Sequence, residues 1–169
     1  MQRRNFIKFT TISLFFFSKE QLFAKKIDEK SLLVLEAIYD ILFPKTSNMP
    51  SAKEFNVLLY LTTNINHKSF FDYDRSLITQ GTKDFISNFP NFLDLKKEEK
   101  SKLINEIINN NDYAQSWLSK LMQFAIEAMF SDPIYKGNTN QIVWKSVDHK
   151  IGYPRPKKKY GQKVVIDDL

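Results

Sequence analysis

The chain of 169 residues contains no cysteine. That absence excludes a disulfide, a thiolate-held iron–sulfur cluster, a CxxCH haem attachment and a cysteine nucleophile. Histidine is almost as scarce, with only His67 and His149. Two imidazoles so far apart in sequence argue against a zinc or non-haem iron site, although carboxylates could add ligands. Glycine numbers four, which argues against a fold built on tight turns or a Gly-rich phosphate loop. No G-x-S-x-G elbow exists to organise a serine nucleophile. Any redox chemistry tied to this chain is therefore expected to lie in a partner, with no cofactor and no metal held by the chain itself.

Charge excludes a further class. The formal net charge is +6, but residues 1–24 supply half of it, with Arg3, Arg4, Lys8 and Lys19 against Glu20. The remainder holds 21 basic and 18 acidic groups, interspersed until the C-terminus. No basic stripe with interleaved aromatics stands out, so nucleic acid is not expected as a partner.

Residues 1–24 read as a targeting segment, with the mature domain at 25–169. Arg3 and Arg4 precede an apolar run from Phe6 to Phe17, then the polar Ser18–Gln21; the segment is either cut after Ala24 or kept as an uncleaved signal in the membrane. The run is about 12 residues and a spanning helix needs about 20, so it is too short for a standard membrane anchor. The order Arg3-Arg4-Asn5-Phe6-Ile7-Lys8 is similar to the twin-arginine export signal, in which paired arginines precede an aromatic or apolar pair and a lysine. That route moves folded cargo and points to a periplasmic destination.

The rest is patterned for helices almost throughout. Leu32, Leu35, Ile38 or Tyr39, and Leu42 recur at helical steps after a cap at Asp28, and Pro44 stops that helix. Ser51 and Glu54 have capping-box spacing, which predicts a second helix over 52–65 with Phe55, Leu58, Leu59 and Leu61 among its apolar positions. A third is predicted over 71–88, with Leu77, Ile78, Phe85 and Phe89 inward. A fourth spans 95–109, with a stripe of Leu103, Ile104, Ile107 and Ile108. The fifth, 112–131, carries Trp117, Leu118, Leu121, Phe124, Ala125, Ala128 and Met129. The expected fold is a single all-α domain of about five helices, followed by an irregular, partly basic segment from 132 onward. Val164–Ile166 is the one strand-like stretch.

That last segment concentrates special backbone geometry, since three of the four glycines lie in residues 137–161. Asp132-Pro133 ends a helix, and Gly137-Asn138 and Gly152 supply bends. Tyr135, Trp144 and Tyr153 either pin the loop to the helices or face a partner. The residues Ser131, Asp132, Pro133, Tyr135, Gly137, Asn138, Trp144, Ile151, Gly152, Tyr153 and Pro154 resemble the small subunit (subunit 3) of gluconate 2-dehydrogenase. That family's hallmark is an SDP-x-YGGN segment followed by a Trp and an IGYP-like turn. Lys136 replaces the first glycine of the usual pair, and Val143 stands where a glycine often precedes the Trp. The twin-arginine start, Phe43-Pro44 and the Pro50–Val57 segment extend the resemblance less specifically.

The resemblance implies a three-part assembly. A flavoprotein large subunit carrying FAD oxidises a sugar acid or polyol, and a cytochrome c subunit carrying haem c takes the electrons. The small subunit bears the export signal for the twin-arginine translocase and accompanies the flavoprotein, so its own contact with the membrane would be indirect. Arg3, Arg4, Phe6, Ile7 and Lys8 are then the export signal. Tyr135, Asn138, Trp144, Tyr153 and Arg155 are the candidate partner interface, because aromatics and Arg are enriched where partners bind. The basic run Arg155–Lys159 is either a solvated tail or a docking element for an acidic partner or anionic lipid. Two rival readings stand beside this one. One is an independent periplasmic binding module or chaperone on the same scaffold; the other is an enzyme using a metal and the carboxylates of Asp72 and Asp74.

Overall fold

The computed structural model describes residues 27–159 and Gln162. The expected targeting segment and Val164–Ile166 lie outside them. Among the described residues there are six α-helices and no strand: α1 Glu29–Leu42, α2 Val57–Asn64, α3 Asp72–Asn88, α4 Lys97–Asn110, α5 Asp112–Phe130 and α6 Ile142–Ser146. No helix among them is long and apolar enough to cross a membrane. The all-α expectation holds, with one helix more than the apolar periodicity predicts.

Local chemistry explains most helix ends. The Asp28 carboxylate accepts from the Ser31 N–H at 2.8 Å and caps α1, satisfying a donor that the first turn cannot. That bond and the Ser31 hydroxyl hold the Asp28 carboxyl below its ordinary range. Asn111 caps α5 in the same way through Ala114. Glu99 accepts from the Lys96 N–H at the start of α4. Helices α1 and α3 each end two residues before a proline, Pro44 and Pro90, where the proline disfavours helical geometry in the residue before it.

The second helix departs from expectation. The Ser51 and Glu54 bonds form as the spacing predicts, with the Ser51 N–H donating to Glu54 at 2.7 Å and the Glu54 N–H to the Ser51 hydroxyl at 3.3 Å. They cap only a single turn. Asn56 is left-handed at φ 59°, its N–H donates to the Lys53 carbonyl, and the Val57 N–H reaches back to Ala52. This is the Schellman pattern of a helix C-terminus. Helix α2 therefore starts afresh at Val57.

Helix α5 is the centre of the packing and touches α2, α3, α4 and α6. All seven residues expected on its inner face are buried. Its Trp117 lies against the backbone of α3 at Gly81, where an added Cβ would stand 2.5 Å from the indole. Phe85 packs on the same indole at 5.3 Å and on Phe92 at 4.8 Å. Phe70 stacks on Phe124 at 5.0 Å. The Tyr39 hydroxyl of α1 donates to the Leu121 carbonyl at 3.2 Å, and burial raises its pKa.

Two tests follow from this packing. Gly81→Ala normally gains about 1 kcal/mol in a helix interior, but here overpacking against a buried indole costs about 1–3 kcal/mol. The expected outcome is a lower melting temperature by thermal circular dichroism, the reverse of the usual sign. The second concerns Glu54, whose carboxyl pKa is held down at about 2 by Lys45 at 2.6 Å and by Ser51, against an ordinary 4.5. A depressed carboxyl stabilises the fold fully above its free pKa and loses that contribution as the pH falls toward the folded value. Glu54→Gln should therefore flatten the acid limb of the melting-temperature profile below about pH 4.5; an unchanged slope would show that these bonds do not form in solution.

Candidate partner interface

Helix α5 ends at Phe130, and the chain turns back through a sequence of short, individually fixed bends. The Asp132 carboxylate accepts from the Ile134 N–H at 2.9 Å and opens a 3-10 turn, Pro133–Tyr135. Lys136 follows in the left-handed region at φ 74°. Next comes Gly137, whose backbone lies directly on α5; a Cβ here would meet the Ala128 carbonyl oxygen at 2.5 Å and the Ser131 hydroxyl at 2.7 Å. Asn138, Asn140, Gln141 and Asp148 are also left-handed. Asparagine and aspartate tolerate this region better than other non-glycine residues, and a glycine-poor chain relies on them.

Asn138 organises the loop. It is completely buried. Its N–H donates to the Phe55 carbonyl at 3.0 Å, its side-chain oxygen accepts from the Val143 N–H at 2.8 Å, and its own carbonyl accepts from Gln141. Beside it the Asn56 amide donates to the Thr139 hydroxyl at 2.7 Å. The turn 51–57 and the loop 131–144 are thus clasped together, and α6 is launched from the same asparagine. The short helix Ile142–Ser146 was read from sequence as irregular; its five residues are too few to show a period, and the Asn138 side chain caps its first turn through Val143.

Of the five residues expected at a partner interface, four are held within the fold. Asn138 is sealed inside, so it builds the loop and presents nothing to a partner. Trp144 is buried too; its indole N–H donates to the Phe130 carbonyl at 3.2 Å, and His149 packs on it at 5.4 Å. Half-buried Tyr135 lends its carbonyl to the Asn64 amide of α2. Arg155 forks onto Asp132 with bonds of 2.8, 2.9 and 3.2 Å and lies 5.8 Å from the Trp144 ring. A bidentate guanidinium–carboxylate pair is strong and directional, and here it ties the segment after α6 to the end of α5. Only Tyr153 stands open, with 85% of its surface exposed. Sequence reasoning missed Asp132 as the partner of Arg155, and it missed the exposed Phe130 at the end of α5. Periodicity gave the only signal for Phe130, which falls opposite the buried face.

The carboxylates suggested for catalysis do not converge. Asp72 pairs with Arg75 at 2.8 Å, and Asp74 with Lys120 of α5 at 3.1 Å. His67 shares a loop bond with Ser69. Among the described residues no three His, Asp or Glu groups are placed to hold a metal ion. Helix α2 and α5 are joined by the Tyr60 hydroxyl, which donates to Glu127 at 3.3 Å; burial first, then that carboxylate, push Tyr60 up to about 12.

A family model described as gluconate 2-dehydrogenase subunit 3 matches residues 29–150. The match begins at the first residue of α1 and ends beyond α6, so it spans every helix described above. No curated protein and no solved structure matches the chain.

The loop geometry gives opposite expectations for adjacent residues. Lys136→Gly removes a left-handed lysine that costs about 1–2 kcal/mol, less the chain entropy glycine adds, and should raise stability by about 0.5–1 kcal/mol. Gly137→Ala forces a methyl into backbone atoms of α5 and should cost about 2 kcal/mol. Urea melts of both variants read the difference; equal effects would mean that the loop is not seated on α5.

Proposed function

The chain belongs to the gluconate 2-dehydrogenase subunit 3 family, and from that premise we propose that it is the accessory small subunit of a periplasmic FAD-dependent dehydrogenase acting on a sugar acid or polyol. It performs no chemistry on its own. FAD resides in the flavoprotein large subunit and haem c in a cytochrome subunit. The small subunit escorts the folded flavoprotein through the twin-arginine translocase and then stabilises the assembled enzyme. The observation that carries this reading is the family match across residues 29–150, joined to a start, Arg3-Arg4-Asn5-Phe6-Ile7-Lys8, of twin-arginine type.

The chemistry of the chain supports it. A protein without cysteine and with two histidines has few means of carrying electrons. The carboxylates of Asp72, Asp74 and Asp132 are engaged by Arg75, Lys120 and Arg155, where they hold helices and loops in place. A rigid helical body with an export address suits a part that works by shape, delivering a partner that has already folded around its cofactor.

Replacing Arg3-Arg4 by Lys-Lys tests the escort role. Dehydrogenase activity and the flavoprotein itself should then accumulate in the cytoplasm, measured by fractionation with activity staining. Undiminished periplasmic activity would overturn the role in export.

A further inference from the structure

Helix α5 has a second face. Opposite its buried side, Gln115, Ser119, Met122, Gln123, Ile126 and Phe130 follow one another without a charge. Met122, Ile126 and Phe130 recur one per turn and are exposed over 39%, 48% and 53% of their surfaces. The charges that border the face are engaged: Lys120 bonds Asp74 and Gln123, and Glu127 accepts from Tyr60 and Gln123. A solvated helix face normally carries charged residues, whereas the centre of a protein interface is depleted of charge and enriched in Met and aromatics.

This face leads into a basic margin. The Phe130 carbonyl holds the Trp144 indole, and Asp132 holds Arg155, so the segment after α6 lies against the end of α5. Residues 145–159 hold Lys145, Lys150, Arg155, Lys157, Lys158 and Lys159 against the single acid Asp148. Exposed Val147 and Tyr153 stand among them. An apolar face with a mostly basic segment at one end is the arrangement expected for a partner whose groove is apolar and carries carboxylates at the matching end.

We propose that the outer face of α5, centred on Ile126 and Phe130 and bordered by the basic segment 145–159, is the surface that docks the flavoprotein subunit, which offers an apolar groove edged with acidic side chains. The proposal rests on the reading of this chain as a dehydrogenase subunit and adds where the contact lies. The exposed aromatic pair Phe71 and Tyr73 alternates in sequence with Asp72 and Asp74, which are paired with Arg75 and Lys120, and has no basic segment beside it. The lysine rim accelerates encounter and makes association salt-dependent, while the apolar centre sets the lifetime of the complex.

The test uses the full chain, tagged and co-expressed with the FAD-bearing large subunit of its own host, with affinity read on the purified pair. Ile126→Glu/Phe130→Glu should weaken binding by about thirty-fold or more, while circular dichroism shows the helical content unchanged. If that variant does not fold, Ile126→Ser/Phe130→Ser serves instead and should weaken binding in the same direction. Lys150→Glu/Lys157→Glu should slow association and flatten its salt dependence. Leu33→Glu/Leu59→Glu, on exposed positions of α1 and α2, should bind as the unmodified chain does. Full binding by a folded Ile126/Phe130 variant would overturn the placement while leaving the subunit reading intact. Loss on Phe71→Glu/Tyr73→Glu instead would move the contact to the start of α3 and overturn it too. Failure of the unmodified chain to bind any flavoprotein would overturn both. Retained flavoprotein binding with loss only of attachment to phosphatidylglycerol vesicles would make the surface a lipid contact and refute the proposal.

Discussion

Helix α5 has to satisfy four neighbours at once, and the sizes of its inner residues divide the space among them. Trp117 is the largest of them, and where it comes closest to α3 the helix offers Gly81, so the indole lies on bare backbone there. Ala125 and Ala128 are small, and at Ala128 the returning loop comes so close that only Gly137 fits. Leu121 gives its carbonyl to Tyr39 of α1, and Phe124 gives its ring to Phe70. Close-packed interiors tolerate little volume error, so this row of residues constrains how closely each neighbour approaches α5.

The row was also what the sequence displayed best. A helix of 19 residues repeats its period five times, and every inner residue from Trp117 to Met129 could be assigned to the buried side. Helix α3 was legible for the same reason, with proline as its stop. The turn at 51–56 was not, because Ser51 and Glu54 signal the beginning of a helix and Asn56 gives no comparable warning of its end. Asparagine enters the left-handed region without being required to, so its conformation is decided by what it touches. For Asn56 that is Thr139, and for Asn138 it is Phe55 and Val143. Neither pairing can be inferred from neighbours in the chain.

The candidate interface shows the same division. Sequence marked residues 131–155 as unusual, and that segment does carry five of the six left-handed non-glycine residues among those described. It could not say which way each aromatic points. Trp144 and Tyr153 had equal standing as sequence, yet one is held by the Phe130 carbonyl and the other is fully open. The difference lies in the Asp132–Arg155 pair, which draws the chain across the Trp144 ring and leaves Tyr153 outside the fold. Ion pairs here act as positioning devices; Lys120 and Asp74 do the same between α5 and α3.

The clasp between Asn56 and Thr139 spans 83 positions of sequence, and that separation has a kinetic meaning. Contacts between distant residues form late, because a long segment must be ordered before they return any free energy. During synthesis α1 to α4 can collapse as they emerge, but α5 lacks its last partner until residues 138–144 are free of the ribosome. Completion of the fold is thus a property of the C-terminal quarter of the chain.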